Sequence, residues 1–454
     1  MPYVEGFGTY PFGEEWLFDA VLRSYLPVTE VADRVTMTVT PVLADQLEAP
    51  GVAERLGEFG RSFRLEACEA EAREVETRYA DACLAEAGRY RRAIARLDEL
   101  GDDLLGIFRR AFQEGRVELV ASAATHAVLP LVATVPGRRL QLDAGLRSHA
   151  RRFGRTAGLW LPECAYEPGL ESLLGERDLG FFCVDQSAHE EPLAALAPVA
   201  TPAGPVALTI DWEAISWLWS LDGYPSDPVH ADFHRKSMRG ARPWSIGGDP
   251  YDPPAAEATA RRQGAAFVAA AAERLQAFRN RRDRPGLLTF AIDTELLGHW
   301  WWEGPAWLEE VLNVAPEHGV ETVTLSQALE RHDPEQRPLR RSSWGEGKDL
   351  RTWDSPAVAD LAWAARRLEL RLLRALAGRE FDEAAALRAA RELLAVQASD
   401  WAFLDMRGQA SDYPYQRATD HARALLEVIH SAGPSDPRVR NLAPDLTLAP
   451  LLEP

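Results

Sequence analysis

Short apolar runs recur along much of this chain, and stretches with helical spacing separate most of them. An apolar run of this length predicts a buried strand, and alternation with helices predicts parallel strands joined by crossover helices. The number of runs favours a β/α barrel, and neither GxGxxG nor GxxxxGK[ST] occurs to support nucleotide binding. The predicted strands are residues 34–43, 117–124, 158–162, 180–185, 205–211, 286–293 and 322–325.

Two regions interrupt this alternation. Residues of about 50–110 are rich in Ala, Glu, Arg and Leu and carry no strand signal, which predicts a helical insertion. After the charged, proline-containing stretch 331–338 the pattern becomes almost entirely helical. We therefore expect a barrel over residues 1–335, with its insertion at about 50–110, and a helical C-terminal domain over residues 336–454.

The charge and cysteine content exclude several classes of function. The chain has 454 residues, with 50 basic and 69 acidic side chains and a formal net charge of -19. Such a surface repels nucleic acid and anionic membranes, whereas a neutral substrate fits it. No apolar run reaches the roughly 18 residues of a membrane span, and no signal peptide is visible. The four cysteines form no CxxC pair, so we expect reduced thiols in a cytoplasmic protein.

Two of the apolar runs end on an acid set among aromatic residues. Glu163 follows the run that begins at residue 158, and Asp293 follows the run that begins at residue 286. Residues at the C-terminal ends of barrel strands line the active site, and paired acids with nearby tryptophans indicate glycosidic-bond chemistry. The alternative for each acid is a helix cap or a structural ion pair.

Other candidate residues lie beside these acids. His126 ends the run that begins at Val117, where it either faces the same pocket or is an ordinary structural histidine. Glu295 and His299 have the spacing of a metal-binding pair on a helix, but no third ligand is suggested, and we predict no metal. Tryptophans near strand ends or glycine-rich turns could stack on sugar rings. They are Trp217, Trp219, Trp300, Trp301, Trp302, Trp344 and Trp353. Ordinary packing accounts for some of the three consecutive ones, Trp300 to Trp302.

A series of ordered blocks covering nearly the whole chain resembles glycoside hydrolase family 57, and in particular its α-1,4-glucan branching members. The blocks are residues 11–17, 124–126, 129–131, 160–166, 223–225, 233–235, 251–253, 293–305, 343–345, 398–401 and 408–409. The resemblance implies an incomplete, seven-stranded β/α barrel with a helical insertion and an all-helical C-terminal domain. It also implies an α-glucan substrate and no cofactor.

The resemblance further implies roles for single residues. Glu163 matches the family's nucleophile, Asp293 its general acid/base and His126 a histidine of the donor-sugar pocket. The residues that match the tryptophans lining the family's glucan groove are Trp16, Trp219, Trp344 and Trp353. His299, from the block 293–305, is predicted to bind substrate with them. The implied reaction is retaining transfer that creates α-1,6 branches, with the two carboxyl groups roughly 5–5.5 Å apart. The alternatives are an α-amylase-like hydrolase on the same scaffold and a catalytically impaired glucan-binding protein.

Two departures from the family pattern change the expectations. Residues 1–4 match the tail of a His-x-His-x-Pro block that ends the family's first strand, so the strand and both histidines are absent from this sequence. Either the true start codon lies upstream, which we favour, or the barrel lacks its first strand and low activity is expected. Between Asp185 and Trp219 the chain is short, and no tyrosine can be assigned to the mobile loop that covers the site in branching relatives. Because such a loop excludes water, its loss predicts a larger share of hydrolysis.

Overall fold

The computed structural model describes residues 14–378, 382–431 and 441–452. The expectations for residues 1–4 and for a missing first strand therefore lie outside the described residues, as do the first three residues of the block 11–17.

Helices make up most of the described chain. The α-helices are α1 Glu14–Ala20, α2 Leu26–Val31, α3 Pro41–Leu47, α4 Val52–Glu58, α5 Glu66–Glu74, α6 Thr77–Leu100, α7 Gly106–Gln113, α8 Val135–Phe153, α9 Leu170–Gly175, α10 Trp212–Trp219, α11 Pro253–Arg282, α12 Gly304–Val314, α13 Leu325–Arg331, α14 Ala359–Gly378, α15 Glu383–Val396, α16 Asp400–Met406, α17 Tyr413–Ser431 and α18 Ala449–Leu452. π-Helical turns at Val21–Tyr25 and Phe59–Leu65 connect α1 to α2 and α4 to α5. None of the helices in the described ranges is long and apolar enough to cross a membrane.

Seven strands form one sheet, which is parallel except at one pair. The strands are β1 Val35–Thr38, β2 Val117–Ser122, β3 Gly158–Trp160, β4 Phe181–Val184, β5 Val199–Ala200, β6 Val206–Thr209 and β7 Glu335–Gln336. Their order is β1-β2-β3-β4-β6-β5-β7, and only β5 and β6 run antiparallel. Crossover segments carrying helices join β1 to β2, β2 to β3 and β3 to β4, as parallel neighbours require. The sheet confirms the predicted incomplete barrel of mostly parallel strands.

Three of the predicted strands differ in the structure. Residues 322–325 form no strand, because Thr324 and Gln327 build a capping box that starts α13 at Leu325. Residues 286–293 are extended but contribute a single bridge, between Thr289 and Ile210. The strand predicted at 34–43 stops at Thr38, since α3 begins at Pro41. The short strands β5 and β7 were not predicted, because two residues give no periodic signal.

The sheet has an open seam between β1 and the extended residues 286–293. Among the described residues, β1 pairs with β2 alone, and no strand lies on its other side. A cavity of about 810 Å³ fills this seam and continues into the barrel interior. Its lining includes Val35 and Met37 of β1 and Leu288 and Phe290 of the opposite segment. We call this gap the seam below.

The helical regions have cores of their own. Side chains from α1 to α7 pack in one cluster with α11 and α12. A second cluster joins α14, α15 and α17 and reaches α8 through Leu140 and Ala144. Helix α8 thus lies between the sheet and the C-terminal helices.

Close packing of α8 against β2 depends on Gly145. A Cβ atom at this position would lie 2.1 Å from the carbonyl oxygen of Ser122, a backbone atom that cannot rotate away. We expect Gly145→Ala to lower the free energy of unfolding by about 1–3 kcal/mol, measured by urea denaturation. The matched control is Gly88→Ala in α6, where only the end of the Arg92 side chain lies within reach. That control should stabilise the protein by roughly 0.5–1 kcal/mol, and equal effects at the two positions would contradict the packing argument.

Candidate active site

Four acids stand directly after strands or strand-like segments, and their contacts separate them into two pairs. Asp185 caps a turn through the backbone N–H of Ser187 and lies 3.2 Å from Lys348 Nζ. Asp211 caps α10 and pairs with Arg274, whose Nη2 is 2.6 Å from its Oδ2. These two acids have structural partners of the kind that a buried carboxylate needs.

Glu163 and Asp293 are held differently. Glu163 lies within a short helical turn, which its side chain does not cap. Asp293 directly precedes another short helical turn, and its side chain makes no capping hydrogen bond to it. No arginine or lysine among the described residues forms an ion pair with either carboxyl group. The alternative interpretation, a helix cap or a structural ion pair, therefore applies to Asp185 and Asp211. It does not apply to Glu163 and Asp293, whose carboxyl groups remain free to react.

A tryptophan fixes the orientation of Glu163. The indole Nε1–H of Trp344 donates to Glu163 Oε2 at 2.7 Å, and the backbone N–H of Trp344 donates to the Glu163 carbonyl at 3.0 Å. Glu163 has a φ of 62°, and the next residue, Cys164, has a φ of 48°. Both values lie in the left-handed region, which costs free energy and tends to be retained at functional sites. The side chain is 11% exposed, so most of its surroundings are protein.

His126 contacts the other oxygen of the same carboxylate. Its Nδ1 lies 3.4 Å from Glu163 Oε1 and 3.1 Å from the Oγ of Ser399. Burial lowers the pKa of His126, but the hydrogen bond and the negative charge of Glu163 outweigh burial and leave the pKa above its usual value. Like Glu163, this histidine has a positive φ, of 56°. His126 therefore helps to fix the orientation of the Glu163 carboxyl group.

Asp293 faces the cavity in the barrel interior. The cavity lining includes Asp293 together with His126, Trp344 and Asp400. The Asp293 side chain is exposed to this cavity, while protein surrounds the cavity itself on most sides. Solvent in the cavity therefore reaches a carboxyl group that is otherwise enclosed.

The surroundings of Asp293 favour its protonated form. Enclosure by protein, followed by the negative charges of Glu295 and Glu163, raises the pKa of Asp293 to about 7. A neutral carboxylic acid beside an ionised one is the pairing that acid-assisted glycosidic cleavage requires.

The C-terminal helical region contributes residues to this cleft that the strand pattern does not reveal. Ser399 contacts both the ring and the backbone carbonyl of His126, and Asp400 lines the cavity. Asp400 is close enough to affect the pKa values of both His126 and Asp293. The ordered block 398–401 was the only sequence signal for this contribution.

Part of the aromatic set forms a row beside the loop that follows Asp293. Ring centroids are 5.8 Å apart for Trp219 and Trp300, 6.3 Å for Trp300 and Trp16, and 4.8 Å for Trp16 and His299. Trp219 is 41% exposed, whereas His299 is 2% exposed. The row therefore offers exposed indole surface at Trp219 and buries the imidazole at its other end.

The remaining tryptophans divide between the cleft and the interior. Trp344 is half-buried and packs edge-on against Trp160, with centroids 5.2 Å apart. Trp353, predicted to line the groove, is 3% exposed and lies beneath the loop that carries Trp344. It supports that loop instead of facing the groove. Trp301 and Trp302 are buried. This agrees with the expectation that some of the three consecutive tryptophans serve ordinary packing.

Glu295 and His299, whose spacing resembles that of a metal-binding pair, have other partners. The Tyr25 hydroxyl donates to Glu295, and His299 packs against Trp16. Within the described ranges, no group of three or more His, Cys, Asp and Glu side chains has the arrangement of a metal site.

Comparisons with known proteins agree with this geometry. Residues 1–339 match the sequence profile of glycosyl hydrolase family 57, and residues 360–443 match that of the 1,4-alpha-glucan branching enzyme C-terminal region. The chain is 30% identical to the 1,4-alpha-glucan branching enzyme of Thermococcus kodakarensis over 482 residues, covering 93% of this chain and 71% of that one. It is 32% identical to a probable 1,4-alpha-glucan branching enzyme of Mycobacterium tuberculosis, covering 94% and 90% of the two chains.

A solved structure shows the same fold. The GH57-type branching enzyme of Pyrococcus horikoshii superposes with a TM-score of 0.91 at 27% identity, covering 99% of this chain and 94% of that chain. The barrel with two acids that no described arginine or lysine pairs with, the C-terminal residues that reach the cleft and the profile match over residues 1–339 lead to one conclusion. This chain belongs to glycosyl hydrolase family 57.

Proposed function

We propose that the protein is a retaining 1,4-α-glucan branching enzyme, with Glu163 as nucleophile and Asp293 as general acid/base. The observation that carries this proposal is the contrast between the two carboxyl groups. Trp344 and His126 hold the two oxygens of the Glu163 carboxyl group, while the environment of Asp293 raises the pKa of that acid to about 7. The named relatives are branching enzymes, which supports transfer as the outcome of the reaction.

The first step cleaves an α-1,4 bond. Asp293 donates its proton to the glycosidic oxygen, and that oxygen leaves with the bonding electrons from the anomeric carbon. A Glu163 carboxylate oxygen attacks the same carbon and forms a covalent glycosyl-enzyme. Asp293 is then a carboxylate, ready to act as a base.

The second step transfers the chain. A glucose 6-hydroxyl on another glucan gives its proton to Asp293, its oxygen bonds to the anomeric carbon, and Glu163 leaves as a carboxylate. The product is an α-1,6 branch, and two inversions leave the anomeric configuration unchanged. The separation of roughly 5–5.5 Å between the carboxyl groups of retaining enzymes stays a prediction for this pair.

The proposal extends to the substrate-binding residues and to the setting of the enzyme. His126 contacts the donor sugar, Trp344 forms one wall of its pocket, and Trp16 and Trp219 belong to the groove for the chain. His299, predicted to line this groove, is buried behind Trp16 and supports it instead. The chain divides near residue 335 into a catalytic barrel and a helical domain that completes the cleft through Ser399 and Asp400. The polymer is a glycogen-like glucan in the cytoplasm.

Incubation with amylose tests the function. The purified protein should convert linear amylose into a product with new α-1,6 linkages, counted by proton NMR and by chain release with a debranching enzyme. Reducing ends are counted in the same samples. New reducing ends without new α-1,6 linkages would reject transfer in favour of hydrolysis, and glucan binding without either product would indicate an impaired enzyme.

The pKa of Asp293 predicts the pH dependence. Because this pKa is raised to about 7, the acid form needed in the first step persists from acidic pH up to that value and is lost above it. We expect kcat/KM on amylose to fall above about pH 7, measured at constant ionic strength. A rate that stays constant well into the alkaline range would contradict the assignment of Asp293 as the acid.

A further inference from the structure

The π-helical turn between α1 and α2 packs directly against the loop that follows Asp293. The Ser24 hydroxyl donates to the carbonyl of Thr294 at 2.8 Å, and the Tyr25 hydroxyl donates to the Glu295 carboxylate. At Gly298, whose φ is +99°, a Cβ atom would lie 1.9 Å from the carbonyl oxygen of Arg23. The two backbones are therefore in contact, and π-helical turns of this kind are frequent at functional sites.

Tyr25 is suited to donate a hydrogen bond at every working pH. Its side chain is 5% exposed. Burial, followed by the negative charge of Glu295, raises the pKa of the Tyr25 hydroxyl well above its usual value. The hydroxyl thus keeps its proton, and Glu295 receives a donor that stabilises its negative charge.

Several charged groups change the pKa of Asp293, and among them Glu295 has the largest effect. After enclosure, Glu295 contributes most to the raised pKa of Asp293, followed by Glu163 from the end of β3. His126 from the end of β2 lowers this pKa, and Asp400 from α16 raises it. The pKa of Asp293 therefore depends on where the Glu295 carboxylate lies.

We propose that Tyr25 is a positioning residue for the catalytic acid, acting through Glu295. Its hydroxyl donates to the Glu295 carboxylate and holds it in place two residues beyond Asp293. Tyr25 lines the same cavity as Asp293, and the role assigned to it is to fix the position of Glu295. This inference rests on the proposed role of Asp293, but concerns a residue of the π-helical turn between α1 and α2.

The test is the pH profile of Tyr25→Phe. Without the hydroxyl, the Glu295 carboxylate is no longer held in place, so its negative charge acts less on Asp293 and Asp293 releases its proton at a lower pH. The alkaline limb of kcat/KM on amylose should therefore move to lower pH. A merely structural role would lower the rate at every pH and leave the limb in place.

Two further variants isolate the path through Glu295. Glu295→Gln should move the limb in the same direction, and Tyr25→Phe added to it should cause no further shift. Tyr90→Phe is the matched control, because Tyr90 is as buried as Tyr25 and its hydroxyl contacts Asp19, at 3.4 Å, outside the cleft. The control should leave the limb unchanged.

A direct titration separates this inference from the proposed function. Carboxyl carbon-13 NMR of protein labelled at aspartate, with the Asp293 signal assigned from Asp293→Asn, reports the proton on Asp293 without turnover. A lower titration midpoint in Tyr25→Phe supports the inference even if amylose acquires no branches. An unchanged midpoint, or a full shift that persists in the Glu295→Gln background, overturns it while leaving the function intact.

Discussion

Replacing Glu163 by glutamine should lower kcat on amylose by on the order of 10⁴- to 10⁶-fold, the scale of losing a nucleophile. The amide has nearly the shape of the carboxylate, and its oxygen still accepts the hydrogen bond from Trp344, so the site keeps its form. An amide oxygen is too weak a nucleophile to attack the anomeric carbon. Steady-state kinetics and mass spectrometry of trapped glycosyl-enzyme would both show the loss.

A nearby glutamate provides the control for this variant. Glu167→Gln removes a carboxylate four residues along, where Glu167 pairs with Arg138 at 2.9 Å away from the cleft. It should retain the parent activity. Glu163→Gly offers a second check, because azide can occupy the space of the lost side chain and should give a β-glycosyl azide. Parent-like turnover in Glu163→Gln would end the argument for a covalent intermediate at this residue.

Replacing Asp293 by asparagine should lower kcat on amylose by about 10²- to 10⁴-fold, the usual contribution of a general acid/base. The loss should depend on the leaving group. A glucan needs a proton on its departing oxygen, whereas the phenolate of a 4-nitrophenyl α-maltooligoside departs without one. The variant should therefore cleave the aryl substrate well in the first step and accumulate glycosyl-enzyme, visible as a burst of nitrophenol.

Azide distinguishes the role of Asp293 from that of Glu163. In Asp293→Asn it should react with the covalent intermediate from the opposite face and give an α-glycosyl azide. Asp283→Asn, at the exposed end of α11, is the matched control and should behave as the parent protein. Equal losses on amylose and on the aryl substrate would contradict proton donation by this residue.

The sequence contained enough to select the two acids that we propose to react, but not to distinguish them from their neighbours. Glu163 and Asp293 follow apolar runs, and so do Asp185 and Asp211. Their difference lies in partners such as Lys348 and Arg274, which are 163 and 63 residues away in the chain. No local pattern reports such contacts.

The errors in the fold have similar causes. Residues 322–325 are rich in β-branched side chains, but the Thr324 capping box favours the start of α13. Ser399 reaches His126 across 273 residues, and Tyr25 reaches Glu295 across 270. Such tertiary contacts complete the site, and a periodic pattern carries no information about them.

The seam also has a consequence for how the protein behaves in concentrated solution. Backbone N–H and C=O groups along an unpaired strand are ready to join a strand from another molecule, and within the described residues β1 presents such an edge. The net charge of -19 keeps copies apart at low ionic strength. Since salt screens this repulsion within about 10 Å at 0.1 M, colloidal stability should decline as salt is added. Storage at low salt, monitored by light scattering, should then preserve the monodisperse protein longest.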